Sequence, residues 1–214
     1  RRLEDQVERL VKPERLKLTY SPHSKRSWWR YEAWRPGLYG AIAGLERVVV
    51  ITLVSKTVMP VMMPTGQVFS HALGVFATDD PAMLGVLSSG PHYWWAITRA
   101  SSLKGDLRYT PTDVFETFAL PELTDEVRAA GDRLDTYRRE LMLARRAGLT
   151  DVYNLVHHPQ CIDADIVELR RIHVAIDEAV ARAYGWTDLL TAGLDHGFHD
   201  TRQGIRYTVG PTVR

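Results

Sequence analysis

The 214-residue sequence lacks most of the residues that enzymes and metalloproteins depend on. Its one cysteine, Cys161, excludes an intramolecular disulfide and a cysteine-based zinc cluster, and fits a reducing, cytoplasmic setting. No apolar run reaches the roughly 18 residues of a membrane span, so no membrane contact is expected. No signal peptide opens the chain. The His-Glu-x-x-His spacing is absent. His157 and His158 are adjacent and point to different helix faces, and His196 and His199 stand three apart, so no metal is expected. No Ser-His-Asp or Cys-His pattern stands out, and no carboxylate-lysine cluster of the nuclease type. Residues 37–44 are glycine-rich but follow no strand, which makes them a weak match to a cofactor loop. The chain itself is therefore expected to be non-catalytic and to hold no cofactor.

What is present is an ordinary core-forming composition, 45% hydrophobic and 25% charged. The length suits one large domain or two small ones. The ends, Arg1-Arg2 and Val213-Arg214, read as cuts from a longer polypeptide. A net charge of +1 hides an uneven distribution. Eight basic residues (Arg15, Lys17, Lys25, Arg26, Arg30, Arg35, Arg47, Lys56) face only Glu32 and Glu46 in the same stretch, whereas fifteen acidic residues outnumber twelve basic ones from Glu122 onward. Such asymmetry points to a polyanion partner for the basic half.

Hydrophobic patterning gives an α+β class, a mixed strand-rich part followed by a helical hairpin. Leu3, Val7, Leu10 and Val11 share one helical face, with Pro13 expected to stop that helix. Strands are predicted over 48–54, over 58–63 with Pro60 demoting it to an edge, and over 68–77. Asp79-Asp80-Pro81 caps a helix to about Leu87, and Pro91 starts another to about Ser101. Residues 107–109 and 114–118 read as short extended pieces. After Pro121, Leu123, Val127, Ala130, Leu134, Tyr137, Leu141 and Ala144 mark a long amphipathic helix with Gly148 as its expected C-cap. A short helical piece, 151–157, comes next. Asp163 then caps a second long helix with Ile166, Leu169, Ile172, Ile176, Val180 and Ala183 inward, ended by Gly185. A strand over 205–209 closes the chain. The expected organisation is an N-terminal helix and linker (1–27), a strand-rich domain (28–121) and a helical subdomain (122–214).

Tyr20, Trp28, Trp29, Tyr31, Trp34 and Tyr39 interleave with Lys25, Arg26, Arg30 and Arg35. Cations neutralise phosphates and exposed aromatics stack on unstacked bases, although any single tryptophan more often serves the core. Lys56, Gln67, His71 and Arg99 lie near the ends of predicted elements, where a side chain can be held against a groove. Lys104, Arg108, Tyr109, Thr110, Thr112 and Asp113 surround a Thr-Pro-Thr-Asp turn, which on its own residues is only an ordered turn between extended pieces.

The segment from Gly105 to Pro121, with its Arg-Tyr, polar turn and Phe-x-x-Pro ending, resembles a stretch in or beside the target-recognition region of large adenine-N6 DNA methyltransferases. These include type IIG and IIL restriction-modification enzymes and phage-defence relatives. Tyr31-Glu-Ala-Trp-Arg-Pro-Gly-Leu-Tyr39, Gly148-Leu-Thr-Asp-Val-Tyr-Asn154, Leu169-Arg-Arg-Ile-His173, Ala183-Tyr-Gly-Trp186 and His196-Gly-Phe-His199 are similar to further parts of that family, so 28–209 is covered. The resemblance implies a chain that binds double-stranded DNA through Lys25, Arg26, Arg30, Arg35, Lys56, Gln67, His71, Arg99, Lys104, Arg108, Tyr109, Thr110, Thr112 and Asp113. Methyl transfer from S-adenosylmethionine would belong to an N-terminal domain of a longer protein. The Asn/Asp-Pro-Pro-Tyr/Phe tetrapeptide that holds an adenine amine in that family is missing, and Pro-Pro occurs nowhere. The other reading is a protein-interaction scaffold working through its long helices.

Overall fold

The computed structural model describes residues 2–19, 25–30, 35–103 and 105–214. They form two compact units, Arg1–Ala43 and Gly44–Arg214. The first contains α1 (Arg2–Lys17) and α2 (Pro36–Ala41). α1 runs through Pro13 rather than stopping there. The pyrrolidine ring fixes a helix-compatible φ and removes only one backbone donor, so the helix survives the loss. Val7, Leu10, Val11 and Leu16 remain exposed along it.

The second unit is α+β. β1 (Arg47–Thr52) is the centre of an antiparallel sheet, with β3 (Val61–Pro64) on one side and β4 (Leu73–Phe76) on the other. Its four buried residues, Val48, Val49, Val50 and Ile51, explain its near-continuous apolar sequence, since both its faces are covered. β3 comes after Pro60 and is an edge strand as its proline requires. A second sheet has the order β2-β6-β5 (Val54–Ser55, Asp106–Arg108, Ser101–Leu103). β7 (Gly197–Thr201) and β8 (Gly204–Thr208) form a hairpin.

α3 (Pro81–Ser88) starts where Asp80 accepts from the Ala82 N–H at 2.9 Å, and α4 (Gly90–Arg99) begins at once after it. The 114–118 segment is not extended. Pro111 pre-sets a helical φ, and Pro111–Val114 forms α5 with turns after it. α6 (Asp125–Arg145) and α8 (Ala164–Ala183) are the two long helices, with α7 (Leu149–Val156) between them and α9 (Thr187–Ala192) after. α6 ends at Arg146 in the left-handed conformation, φ 49°, and Gly148 instead occupies the N-cap of α7. Asp163 stands at the N-cap of α8 without a capping bond, because its carboxylate pairs with Arg145 at 2.6 Å.

Chain from both sides of position 121 builds one core. Val49, Leu84 and Leu87 share it with Val127, Leu134, Ile166, Leu169, Ile172 and Ile176. A second cluster, with Ile51, Ala96, Leu107, Tyr109 and Val114, lies under the β2-β6-β5 sheet.

Candidate nucleic-acid interface

In the first unit Lys25 and Arg26 occupy a helical turn, and the chain then bends so that the Arg30 N–H donates to Ser27 O at 2.9 Å. Lys25, Arg26, Arg30 and Arg35 are exposed. None of them meets a carboxylate among the described residues. Trp28 and Trp29 pack edge to face at 5.7 Å, Lys12 lies over Trp28 at 5.2 Å, and Trp29 is 59% exposed. Tyr39 is half-buried in α2. Tyr20, Tyr31 and Trp34 lie outside the described residues, as does Lys104 in the second unit. Two charges of the basic stretch are already neutralised, Lys17 by Glu14 at 2.8 Å and Arg47 by Asp135 at 2.6 Å.

In the second unit the β2-β6-β5 sheet presents Arg108 from its central strand. Residues directly opposite in antiparallel strands share a face, and Arg108 is opposite both Val54 and Ser101. All three are exposed, whereas Leu107, one step along, is buried. Lys56 leaves the end of β2 and Arg99 precedes β5, so both belong to the surroundings of this sheet. Gln67 and His71 lie in the β3–β4 connection, on the other sheet, and the Gln67 amide donates to Pro64 O at 3.0 Å. Arg99 lies over the Trp95 ring, 4.5 Å to its centroid.

Tyr109 is buried rather than presented at the surface. It is 1% exposed and its hydroxyl lies 3.0 Å from His92 Nε2. His92 Nδ1 faces the Leu87 carbonyl at 2.7 Å. A carbonyl only accepts, so Nδ1 carries the proton and Tyr109 donates to Nε2. Burial pushes the Tyr109 hydroxyl up and lowers His92 to about 4. Thr110 is half-buried at the N-cap of α5, and Thr112 and Asp113 are exposed in its single turn, 3.4 Å from each other. Asp113 carries a negative charge, so it suits a base amine rather than a phosphate. Among the described residues no group of three or more His, Cys, Asp or Glu is placed to hold a metal ion, and no helix is long and apolar enough to cross a membrane.

Two features went unread in the sequence. One is a cavity of about 80 Å³ with a largely apolar wall into which His157, His173, His196, Asp177 and Tyr153 are also gathered. The Tyr153 hydroxyl is 2.7 Å from His173 Nε2, and His196 Nε2 is 2.9 Å from Asp177 Oδ2. Asp177 also accepts from the Gly90 N–H at 2.6 Å. Burial lowers His173 to about 3, helped by Arg138 and His196, and lowers His157 to about 3, helped by Arg206. The other is an aromatic cavity of about 430 Å³ lined by Trp94, Trp95, Phe118, Tyr184 and Trp186. The adjacent tryptophans of α4 and the Tyr-Gly-Trp after α8 were the only hints of it.

No family model matches the chain. It is 27% identical over 117 residues to DNA methyltransferase A of Bacillus subtilis (strain 168), a match spanning 55% of this chain and 12% of that protein. Its fold is shared with the solved structure of the type IIL restriction-modification enzyme MmeI in complex with DNA. There the TM-score is 0.59 at 17% identity, over 86% of this chain and 24% of the enzyme. The chain thus spans about an eighth of the first protein and a quarter of the second.

Proposed function

We propose that this chain is a DNA target-recognition module. On this reading it binds double-stranded DNA while adenine-N6 methyl transfer is done, inside the cell, by a separate methyltransferase domain of a longer protein that uses S-adenosylmethionine. The observation that carries the reading is the sorting of the basic side chains. After Glu122, Arg128, Arg133, Arg139, Arg145, Arg171 and Arg182 pair with carboxylates, and Arg138 and Arg170 are buried against carbonyls, which leaves Arg146, Arg202 and Arg214 exposed without a carboxylate among the described residues. Lys25, Arg26, Arg30, Arg35, Lys56, Arg99 and Arg108 are exposed and meet no carboxylate among the described residues. Unneutralised cations are available to phosphates. The fold shared with a DNA-bound restriction-modification enzyme supports the same reading. The long helices spend their apolar faces on the core, which weighs against a scaffold working through them.

Arg108 is the strongest candidate for reading a base. A central strand holds it, its two flanking strands fix its direction, and a guanidinium matches the guanine edge in the major groove. Salt titration of binding to duplex DNA tests the proposal. A handful of neutralised phosphates gives a log–log slope of about −3 to −6. A flat response, or no binding at low salt, overturns it.

A further inference from the structure

The aromatic cavity between α4, the turns after α5, α8, α9 and the C-terminal residues lies within the second unit. We propose that it is a nucleotide site, taking a purine base against the indoles of Trp94 and Trp186 and the base's phosphate on Arg99. About 430 Å³ falls inside the roughly 300–1,000 Å³ range of small-molecule sites, and a mostly apolar wall with aromatics and few polar groups is the usual lining. Trp186 stacks on Tyr184 with ring centroids 4.2 Å apart and planes within 7°, which makes a flat platform of the kind on which bases stack. The face of Trp94 already accepts one planar group, since the Arg214 guanidinium lies over it at 4.1 Å.

The Trp94 indole N–H is buried away from the cavity and has no hydrogen-bond partner among the described residues, so Trp94 offers a ligand its ring rather than its donor. Trp95, by contrast, donates its indole N–H to Val114 O at 3.0 Å and is satisfied. At the mouth, Arg99 is exposed, has no carboxylate among the described residues and is held over Trp95. A cation fixed beside an aromatic slot matches a base with its phosphate attached.

The base has two sources, a nucleotide extruded or unpaired in DNA, which rests on the function proposed above, or a free nucleotide. The probes are deoxyadenosine 5′-monophosphate, deoxyribose 5-phosphate, and duplexes with and without one unpaired adenine, added to the 214-residue chain. Tryptophan fluorescence and duplex anisotropy are the readouts. The nucleotide should quench saturably and the sugar phosphate should not. Trp186→Ala should weaken nucleotide binding about tenfold, the order of one lost stacking partner. Thr98→Trp, which fills the mouth from an exposed position, should abolish it; together the two variants keep the test valid if one fails to fold. A bulged duplex that outbinds the paired one, with the gain lost in both variants, assigns the site to DNA. Nucleotide binding without such a gain assigns it to free nucleotides, and nucleotide binding with no duplex binding keeps the site but removes the DNA reading. Equal binding of both duplexes with no quenching by the nucleotide overturns the site and leaves the DNA reading standing. No response to any probe overturns both.

Discussion

Gly131 of α6 packs against the backbone of Pro81 so closely that a Cβ built on it would meet the Pro81 carbonyl oxygen far inside van der Waals contact, and would sit 2.9 Å from the carbonyl carbon. Gly85 makes the reciprocal approach, since a Cβ built on it would lie 3.0 Å from Val127 O. Two glycines thus let α3, which comes after the first sheet, lie directly on the long helix of the second half. The obstacle is backbone rather than a side chain that could swing away, so Gly131→Ala should destabilise the chain by about 3 kcal/mol, at the top of the range for overpacking. Thermal unfolding checks this; an unchanged midpoint would show that α3 and α6 can separate without cost.

The Tyr109–His92 pair yields a pH prediction. His92 is neutral in the fold down to about 4, while an unfolded histidine titrates near 6.5. Below 6.5 the unfolded chain takes up a proton that the folded chain refuses. Stability should therefore be flat above 6.5 and fall as pH drops from 6.5 toward 4, by roughly 1.4 kcal/mol per pH unit per such histidine. His157 and His173, lowered to about 3, extend the window downward. Urea unfolding between pH 7 and pH 4 measures the slope; stability independent of pH there would mean these rings are solvated. Tyr109→Phe should cost about 1–3 kcal/mol, because it leaves the His92 Nε2 acceptor unsatisfied, and should leave DNA binding per folded molecule unchanged.

Arg170 and Arg171 are neighbours with opposite duties. Arg170 donates to the carbonyls of Val156, Cys161, Leu155 and His158 at 2.8–3.0 Å, and its guanidinium lies over Phe198 at 4.9 Å. It thereby ties α8 to the end of α7 and to the β7–β8 hairpin. Arg170→Ala strands several carbonyls and should cost about 3 kcal/mol or more. Arg170→Lys should recover little, since an ammonium cannot reach four divergent acceptors at once. Arg171 is exposed, with Glu168 at 3.5 Å, and Arg171→Ala should stay within about 0.5 kcal/mol. Equal effects of the two alanine variants, by chemical denaturation, would refute this division.

The regular elements were legible where period and caps agreed. The α6 and α8 stripes run into the core as their spacing demands, except that Ala144 at the end of the α6 stripe is exposed, and Asp80 caps α3. Tyr109 shows how far a residue-by-residue reading falls short. It sits next to Arg108 in the sequence, but the period of two in a strand puts it on the buried face with Leu107. The 114–118 segment looked extended because Val114, Phe115 and Phe118 are strand-formers, yet the preceding proline set a helical turn. The aromatic cavity had only scattered hints in the sequence, because Trp94 and Trp186 come to one cavity only through the packing of α4 beside α8 and α9.

The division between phosphate and base contacts gives the sharpest test of function. Lys25 and Arg26 are exposed on a short helical turn in the first unit, where no hydrogen bond or ion pair among the described residues fixes their long side chains. Such residues suit phosphates, which carry no sequence information. Lys25→Ala or Arg26→Ala, placed in the longer protein, should weaken binding about equally on all sequences and reduce the salt slope by roughly one each. Arg108 differs because β2 and β5 pin its backbone from both sides. Arg108→Ala should cost about 1–3 kcal/mol on the preferred site, less on others, and so relax the choice of methylated site at one position. Its exposure and lack of a carboxylate partner among the described residues mean that fold stability should change by no more than about 0.5 kcal/mol. Sequencing methylated genomic DNA from cells that carry each variant, alongside thermal unfolding of each chain, separates these outcomes. An unaltered methylation motif with Arg108→Ala would demote Arg108 to a phosphate contact and leave the base reader to be sought at Arg99 or in the β3–β4 connection.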